Sequence, residues 1–189
     1  MDEARTPDWT GLMEAARARA GFFTAAEAQA HHISPQLLRY RVGTGWVSRE
    51  MRGVYRFVSA SPTEHDELIA LWLWSGEDAV FSHVTALFLH GLSDALPGRV
   101  HMTVPPTWRY ARFATPGHVT LHVAELAESE RQWLGYVSLT TPARTIADCI
   151  EADVSTTWVE QAITQARRRK LITPAEASRL ERARRKGAT

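Results

Sequence analysis

Gln36, Arg39 and Tyr40 stand at positions i, i+3 and i+4 of one short segment, so a helix would present them on a single face. A glutamine amide can form two hydrogen bonds with adenine, and an arginine guanidinium can form two with guanine. A tyrosine hydroxyl can donate to a phosphate or pack on a sugar. These residue types at this spacing are typical of a surface that contacts duplex DNA.

Other residues near this stripe of Gln36, Arg39 and Tyr40 add further hydrogen-bond donors. Arg49, Arg52 and Arg56 lie in a segment rich in aromatic and β-branched residues, from which they would reach flanking phosphates or the minor groove. Ser34 precedes Pro35 and is expected to hold a phosphate at the start of a helix. The predicted DNA-contacting residues are Ser34, Gln36, Arg39, Tyr40, Arg41, Arg49, Arg52 and Arg56. The same residues would also suit the solvated face of a domain that binds protein instead.

A second basic block lies near the C-terminus and consists of Arg167, Arg168, Arg169 and Lys170. Its position at the end of a predicted helix complements the helix dipole, because cations are stabilised there. We also consider it as a second contact to the DNA backbone.

The elements that must position the first group are three helices and a hairpin. Trp9, Leu12, Met13 and Ala16 form an amphipathic stripe that indicates a first helix. Thr24 and Glu27 form a capping box that begins a second, and Ser34 with Pro35 begins a third. Two extended segments joined by a turn at Gly53 follow. This order predicts a winged helix-turn-helix DNA-binding domain over residues 1–62.

The rest of the chain predicts a mixed α/β domain over residues 63–189, so the fold class is α+β. Helices are expected over 63–76, after Ser82 and after Pro142, where Arg144 and Asp148 are spaced to pair. Strands are expected at 100–104, 119–123 and 136–140. Two further helices after Ser155 and Thr173 complete a domain with a small sheet and C-terminal helices.

Charge is distributed unevenly along the chain although the net charge is only +1. Residues 1–62 hold 8 Lys+Arg against 6 Asp+Glu, residues 63–153 hold 5 against 12, and residues 154–189 hold 9 against 3. A basic front, an acidic middle and a basic tail indicate parts with different roles. The acidic middle is expected to face away from DNA.

Several other classes of chemistry find no support in the sequence. The chain has eight histidines, but no H-x-x-x-H on a predicted helix and no C-x-x-C spacing, so no metal site and no cofactor are predicted. Cys149, the single cysteine, lies among apolar residues and is expected to be a core thiol. With no catalytic motif, the protein is not expected to be an enzyme. With no signal peptide and no long apolar run, a cytoplasmic location away from membranes is expected.

Three stretches together resemble a known family: ISPQLLRYRVGTGWVSREMRGVYRFV (33–58), SHVTALFLHGLSDALPGRVHMTVP (82–105) and LTTPARTIADCI (139–150). They resemble short forms of the AbiEi-type antitoxins of type IV toxin–antitoxin, or abortive-infection, systems. Those antitoxins have a winged helix-turn-helix followed by a domain with an SH-x-x-A-x-x-x-HGL helix and a TTPARTI-x-D helix. The front half also resembles bacterial proteins that continue into a restriction-endonuclease-like module, which is not expected in a chain of this length.

The resemblance implies a transcriptional autorepressor that binds an inverted repeat of double-stranded DNA in its own promoter. It also implies an antidote to a nucleotidyltransferase-fold toxin that acts without a stable complex. It assigns the DNA contact to residues 34–42 and to the wing, residues 49–56. Two alternatives remain open: a protein–protein adaptor whose winged helix does not bind DNA, and a non-catalytic remnant of an endonuclease-fused protein.

Overall fold

The computed structural model describes residues 6–110 and 114–187 of the chain. The chain forms two compact units, Met1–Glu77 and Asp78–Thr189. The architecture is mixed α+β with two sheets. In the described residues no helix is long and apolar enough to cross a membrane.

The first unit contains four helices and a three-stranded antiparallel sheet with strand order β1-β3-β2. Its elements in chain order are α1 (Trp9–Arg17), β1 (Phe22–Thr24), α2 (Ala25–Ala30), α3 (Pro35–Gly43), β2 (Val47–Met51), β3 (Val54–Phe57) and α4 (Asp66–Trp74). Gly53 forms the turn between β2 and β3 with φ +81°, a backbone conformation that suits glycine. The predicted order of helices and hairpin is therefore present.

The predicted capping box at the start of α2 is confirmed. The Thr24 hydroxyl accepts a hydrogen bond from the backbone N–H of Glu27, and the Glu27 carboxylate accepts one from the backbone N–H of Thr24. Burial tends to raise the pKa of Glu27, but hydrogen bonds from Arg19 and Thr24 outweigh burial and hold that pKa below its ordinary value. The short loop between β1 and α2 is thereby fixed as the sequence predicts.

The core of the first unit lies between its sheet and its first three helices. The buried residues that form it are Leu12, Ala16, Phe23, Ala28, Ile33, Leu38, Val47 and Phe57. Phe57 is central, with ring centroids 4.8 Å from Phe23 and 5.4 Å from Trp46. Met13, which the helical stripe predicts to be buried, is instead 39% exposed. The buried face of α1 is therefore narrower than its apolar spacing suggests.

Helix α4 packs against the sheet of the first unit. The two units thus divide after Glu77, whereas the sequence places the division after residue 62. Two contacts explain the difference, since Arg56 forms an ion pair with Asp66 at 3.3 Å and Arg19 forms one with Glu77 at 3.1 Å. Over residues 1–77 the chain carries 8 Lys+Arg and 10 Asp+Glu. Net charge therefore does not distinguish the first unit as basic.

The second unit contains a five-stranded mixed sheet with strand order β6-β5-β4-β8-β7. Its elements are β4 (Val80–Phe81), α5 (His83–Leu89), β5 (Val100–Val104), β6 (Val119–Val123), β7 (Arg131–Leu134), β8 (Val137–Thr140), α6 (Pro142–Glu151), α7 (Thr156–Arg168) and α8 (Pro174–Gly187). Strands β5, β6 and β8 confirm the three predicted strands, with β8 beginning one residue later. Strands β4 and β7 are not predicted from the sequence.

The four helices of the second unit form a buried apolar cluster. Arg144 donates to the Asp148 carboxylate at 2.6 Å, as the i, i+4 spacing predicts. Cys149 is fully buried, and burial raises the pKa of its thiol to about 12. The thiol therefore stays protonated at neutral pH and is a core residue, as expected.

Candidate nucleic-acid interface

Helix α3 presents the predicted stripe to solvent. Ser34 caps it, since its hydroxyl accepts a hydrogen bond from the backbone N–H of Leu37 at 3.2 Å, and Pro35 follows at the first helical position. Leu38 is buried beneath the helix. On the opposite side Gln36, Arg39 and Tyr40 are all exposed, Tyr40 by 62% of its surface. The three side chains are therefore available to a partner.

A cleft of about 350 Å³ lies between α3 and the β2–β3 hairpin. Arg39 lines it from the helix and Arg49 lines it from strand β2. Pro35, Val42 and Tyr55 are also in its wall. Two exposed guanidinium groups from separate elements thus border one concavity, which concentrates positive potential there.

Arg52 occupies the turn of the hairpin and is exposed. The register of β2 with β3 shifts between Arg49 and Met51, a bulge that increases the local twist of the hairpin. Arg39, Arg49 and Arg52 form no ion pair or side-chain hydrogen bond with any residue that the structure describes. We call these three residues the basic face.

Arg41 was predicted to contact DNA, but its side chain is half-buried among aromatic rings. Its guanidinium carbon lies 4.8 Å from the ring centroid of Trp46 and 5.7 Å from that of Trp9. Its Nε is buried and has no hydrogen-bond partner among the described residues. Cation–π contacts between Arg41 and these rings therefore hold α3 against the aromatic core.

Arg56 was also predicted to contact DNA, and the structure gives it other partners. Its Nε donates to the carbonyl of Ala20 at 3.2 Å, and one terminal nitrogen donates to the carbonyl of Ala60 at 3.2 Å. The other terminal nitrogen pairs with Asp66, and only 13% of the side chain is exposed. With its donors occupied, Arg56 fixes α4 and the end of the hairpin and is not free for phosphate.

The basic block in the second unit is similarly divided. Arg167 pairs with Glu181 at 3.0 Å, and Arg169 donates to the carbonyl of His90 at 2.7 Å and to that of Gly91 at 3.2 Å. These last two bonds satisfy carbonyls at the end of α5. Arg168 and Lys170 are exposed. At least two of the four residues of the block, Arg167 and Arg169, therefore have a structural role within the second unit.

Three of the histidines lie together in the structure, although the sequence predicts no metal site. The structure brings together His83, His101 and His122, with one ring nitrogen of each within 4.8 Å of the others. Burial lowers the pKa of all three, that of His83 to about 3 with help from the nearby His122 and His101 rings. All three imidazoles are therefore neutral at neutral pH. The sequence offered no spacing signal, because the three residues come from one helix and two strands.

Comparison with known proteins shows that part of the first unit is similar to a known family. Residues 12–58 match the family described as "Transcriptional regulator, AbiEi antitoxin", which is a regulatory family and not an enzyme family. No curated protein sequence matches the chain. A crystal structure of the RV2827C protein from Mycobacterium tuberculosis is similar, with a TM-score of 0.49 and 16% sequence identity. That match covers 96% of this chain and 83% of the other.

The family match spans α1 from Leu12, the helices α2 and α3, and the hairpin to its last strand. It includes every residue of the basic face and the whole exposed stripe of α3. Residues 12–58 of this chain are thus similar to the transcriptional-regulator domain of the AbiEi antitoxin family.

Proposed function

We propose that the first unit is a winged helix-turn-helix that binds an inverted repeat of double-stranded DNA in the promoter of its own operon and represses it. In this proposal α3 enters the major groove, where Gln36 and Arg39 contact base edges. Tyr40, Arg49 and Arg52 contact flanking phosphates, and Ser34 holds a phosphate at the start of α3. Arg41 and Arg56 lie beneath this surface and hold α3 and the hairpin in place.

The observation that carries the proposal is the position of Arg39 and Arg49 on the two sides of one cleft. Both are exposed and neither is paired with a described residue. Desolvating an arginine without a partner is costly, so arginines held open in this way suit a partner that brings negative charge. Helix and hairpin are the two parts of a winged helix that approach DNA, and the family match covers both.

Arg39→Ala and Arg52→Ala are expected to differ in their effect on DNA binding. Arg39→Ala should weaken binding to the promoter repeat by about 1–3 kcal/mol, roughly fivefold to 150-fold, and binding to random duplex far less, because it removes a base contact. Arg52→Ala should weaken both duplexes alike and reduce the slope of log K against log salt by about one. Fluorescence anisotropy over a salt series measures both quantities.

Arg17→Ala is the matched control for these two variants. Arg17 is an exposed arginine of α1 with a 79% exposed side chain, and it lies outside the stripe and the basic face. Its removal should leave both affinities unchanged. Equal losses on the promoter repeat and on random duplex for Arg39→Ala would show that Arg39 contacts phosphate and not a base.

We further propose that the protein counteracts a nucleotidyltransferase-fold toxin without forming a stable complex with it. The support is the family match, whose description includes antitoxin activity. Co-expression of the protein with a cognate nucleotidyltransferase-fold toxin should restore the growth that the toxin alone arrests, and a pull-down of the two proteins should recover no complex. Growth arrest that persists at full antitoxin expression would contradict this part of the proposal and favour a regulator alone.

A further inference from the structure

Three histidines from different elements meet on one face of the second sheet. His83 is the first residue of α5, His101 lies on β5 and His122 lies on β6. Strands β5 and β6 are parallel with Thr103 opposite His122, so His101 and His122 share a face of the sheet. The Nδ1 atom of His101 is 2.9 Å from the Nε2 atom of His122. The His83 ring stacks on that of His122 with centroids 3.5 Å apart.

The spacing of these nitrogens suits a single metal ion. Zinc binds imidazole nitrogen at about 2.0–2.1 Å, which places two ligands of a tetrahedral ion about 3.4 Å apart. The nitrogens of His101 and His122 are closer than this ligand spacing, at 2.9 Å. The three ligand nitrogens of the cluster all lie within 4.8 Å of one another, a limit above this spacing. Rotation of the rings out of their stacked arrangement would bring all three nitrogens onto one ion.

Hydrogen bonds behind His83 hold its ring in place. Its Nδ1 lies 2.9 Å from the hydroxyl of Ser82, which in turn accepts a hydrogen bond from the Thr103 hydroxyl at 2.8 Å. Ser82, His83 and Thr103 are all buried. A metal-binding histidine commonly uses its second nitrogen in this way, because the bond fixes its tautomer and orientation. His83 also has a φ of +51°, unusual for a residue with a side chain.

A cavity of about 270 Å³ opens beside the cluster. His83 and His122 line it together with Arg144 and Asp148 of α6. The Asp148 side chain is only 5% exposed, and its Oδ1 accepts the hydrogen bond from Arg144. Its Oδ2 is buried and has no hydrogen-bond partner among the described residues. A buried carboxylate oxygen without a donor is costly, so the cavity favours a ligand that supplies one.

We propose that His83, His101 and His122 bind one divalent transition-metal ion of the zinc class. The fourth position of the ion faces the cavity and holds a water molecule that donates to Asp148 Oδ2. Three imidazole nitrogens favour such an ion over magnesium or calcium, which prefer oxygen ligands. Three protein ligands with one open position are the arrangement of zinc sites that bind a further ligand. The proposal differs from the sequence-based expectation of no metal, and the experiments below decide between them.

The test uses the full, untagged chain dialysed against Zn²⁺ beside a weak chelator, with bound zinc measured by mass spectrometry. One zinc ion per chain is expected. His101→Gln and His122→Gln should each abolish that binding. His118→Gln, which alters an exposed histidine just before β6, is the matched control and should keep it. Absence of zinc from the wild type, or full retention in both cluster variants, would overturn the proposal.

A second measurement does not depend on any variant. X-ray absorption at the zinc edge of the wild-type protein should show three imidazole ligands and one oxygen, with metal–ligand distances of about 2.0–2.1 Å. Fewer than three imidazoles, or a sulfur ligand, would place the ion elsewhere and contradict the assignment. Dissolved Mg²⁺ at the same concentration should not displace the zinc; if it does, the chemical class is wrong.

Discussion

Phe57→Ala is expected to lower the free energy of unfolding of the first unit by about 3–5 kcal/mol, because it deletes a large buried ring and leaves a cavity. Phe57 is 1% exposed, and its ring contacts Trp9, Phe23 and Trp46 with centroids 6.5, 4.8 and 5.4 Å away. These rings hold α1 and the sheet together beneath α3. Urea denaturation followed through the NMR signals of the Trp9 and Trp46 indoles measures the loss in this unit.

Val58→Ala is the matched control, since Val58 is the next residue and is 57% exposed. It should change stability by no more than about 0.5 kcal/mol. The Phe57 variant should also lose DNA binding at temperatures where the first unit has unfolded. If Phe57→Ala costs as little as Val58→Ala, the aromatic cluster is not the core that positions α3.

Arg144→Met is expected to destabilise the second unit by about 3 kcal/mol, because it leaves the buried Asp148 carboxylate without its partner. Arg144 donates to Asp148 at 2.6 Å and to Glu130 at 2.9 Å, so it joins α6 to the segment before β7. Burial already holds the pKa of Asp148 above its ordinary value of 3.8, against the opposing effect of Arg144. Removal of Arg144 raises that pKa further.

The loss of stability caused by Arg144→Met should therefore depend on pH in a defined direction. In the variant the folded state binds the Asp148 proton more tightly than the unfolded state does, so stability increases as pH falls toward 3.8. The deficit relative to wild type should be largest at neutral pH and smaller in acid. Thermal unfolding between pH 4 and pH 7 measures this dependence.

A double variant, Arg144→Met with Asp148→Leu, provides the control for Arg144→Met. Replacing both charged groups with apolar residues removes the unpaired carboxylate, so most of the lost stability should return. A deficit in Arg144→Met that is independent of pH and unchanged in the double variant would show that lost packing, and not the orphaned charge, is responsible.

The parts of the fold that the sequence predicts are those fixed by local chemistry. The Thr24–Glu27 capping box, the Ser34–Pro35 helix start and the glycine turn at Gly53 each depend on residues within four positions of one another. Strand β4 is different, since it has only two residues and no alternation to detect. It is nevertheless the centre of the second sheet, because β5 and β8 pair with it from distant parts of the chain.

The candidate site shows the same division between local and distant information. Exposure of Gln36, Arg39 and Tyr40 follows from helical spacing, which the sequence reveals. The contacts of the Arg56 side chain with Asp66, Ala20 and Ala60 depend on where α4 and the loop next to β1 pack. The position of an arginine in a predicted hairpin does not indicate such contacts. The histidine cluster likewise depends on the register of β5 with β6, which no spacing along the chain encodes.

The measurement that tests the central claim most directly is the affinity of the wild-type protein for a duplex from its own promoter region against a shuffled duplex of the same composition. At moderate, stated salt, the promoter duplex should bind at least about 1,000-fold more tightly, as is typical of specific recognition. Nuclease protection should then map to an inverted repeat. Equal affinity for the two duplexes would contradict the assignment of the first unit as a sequence-specific repressor.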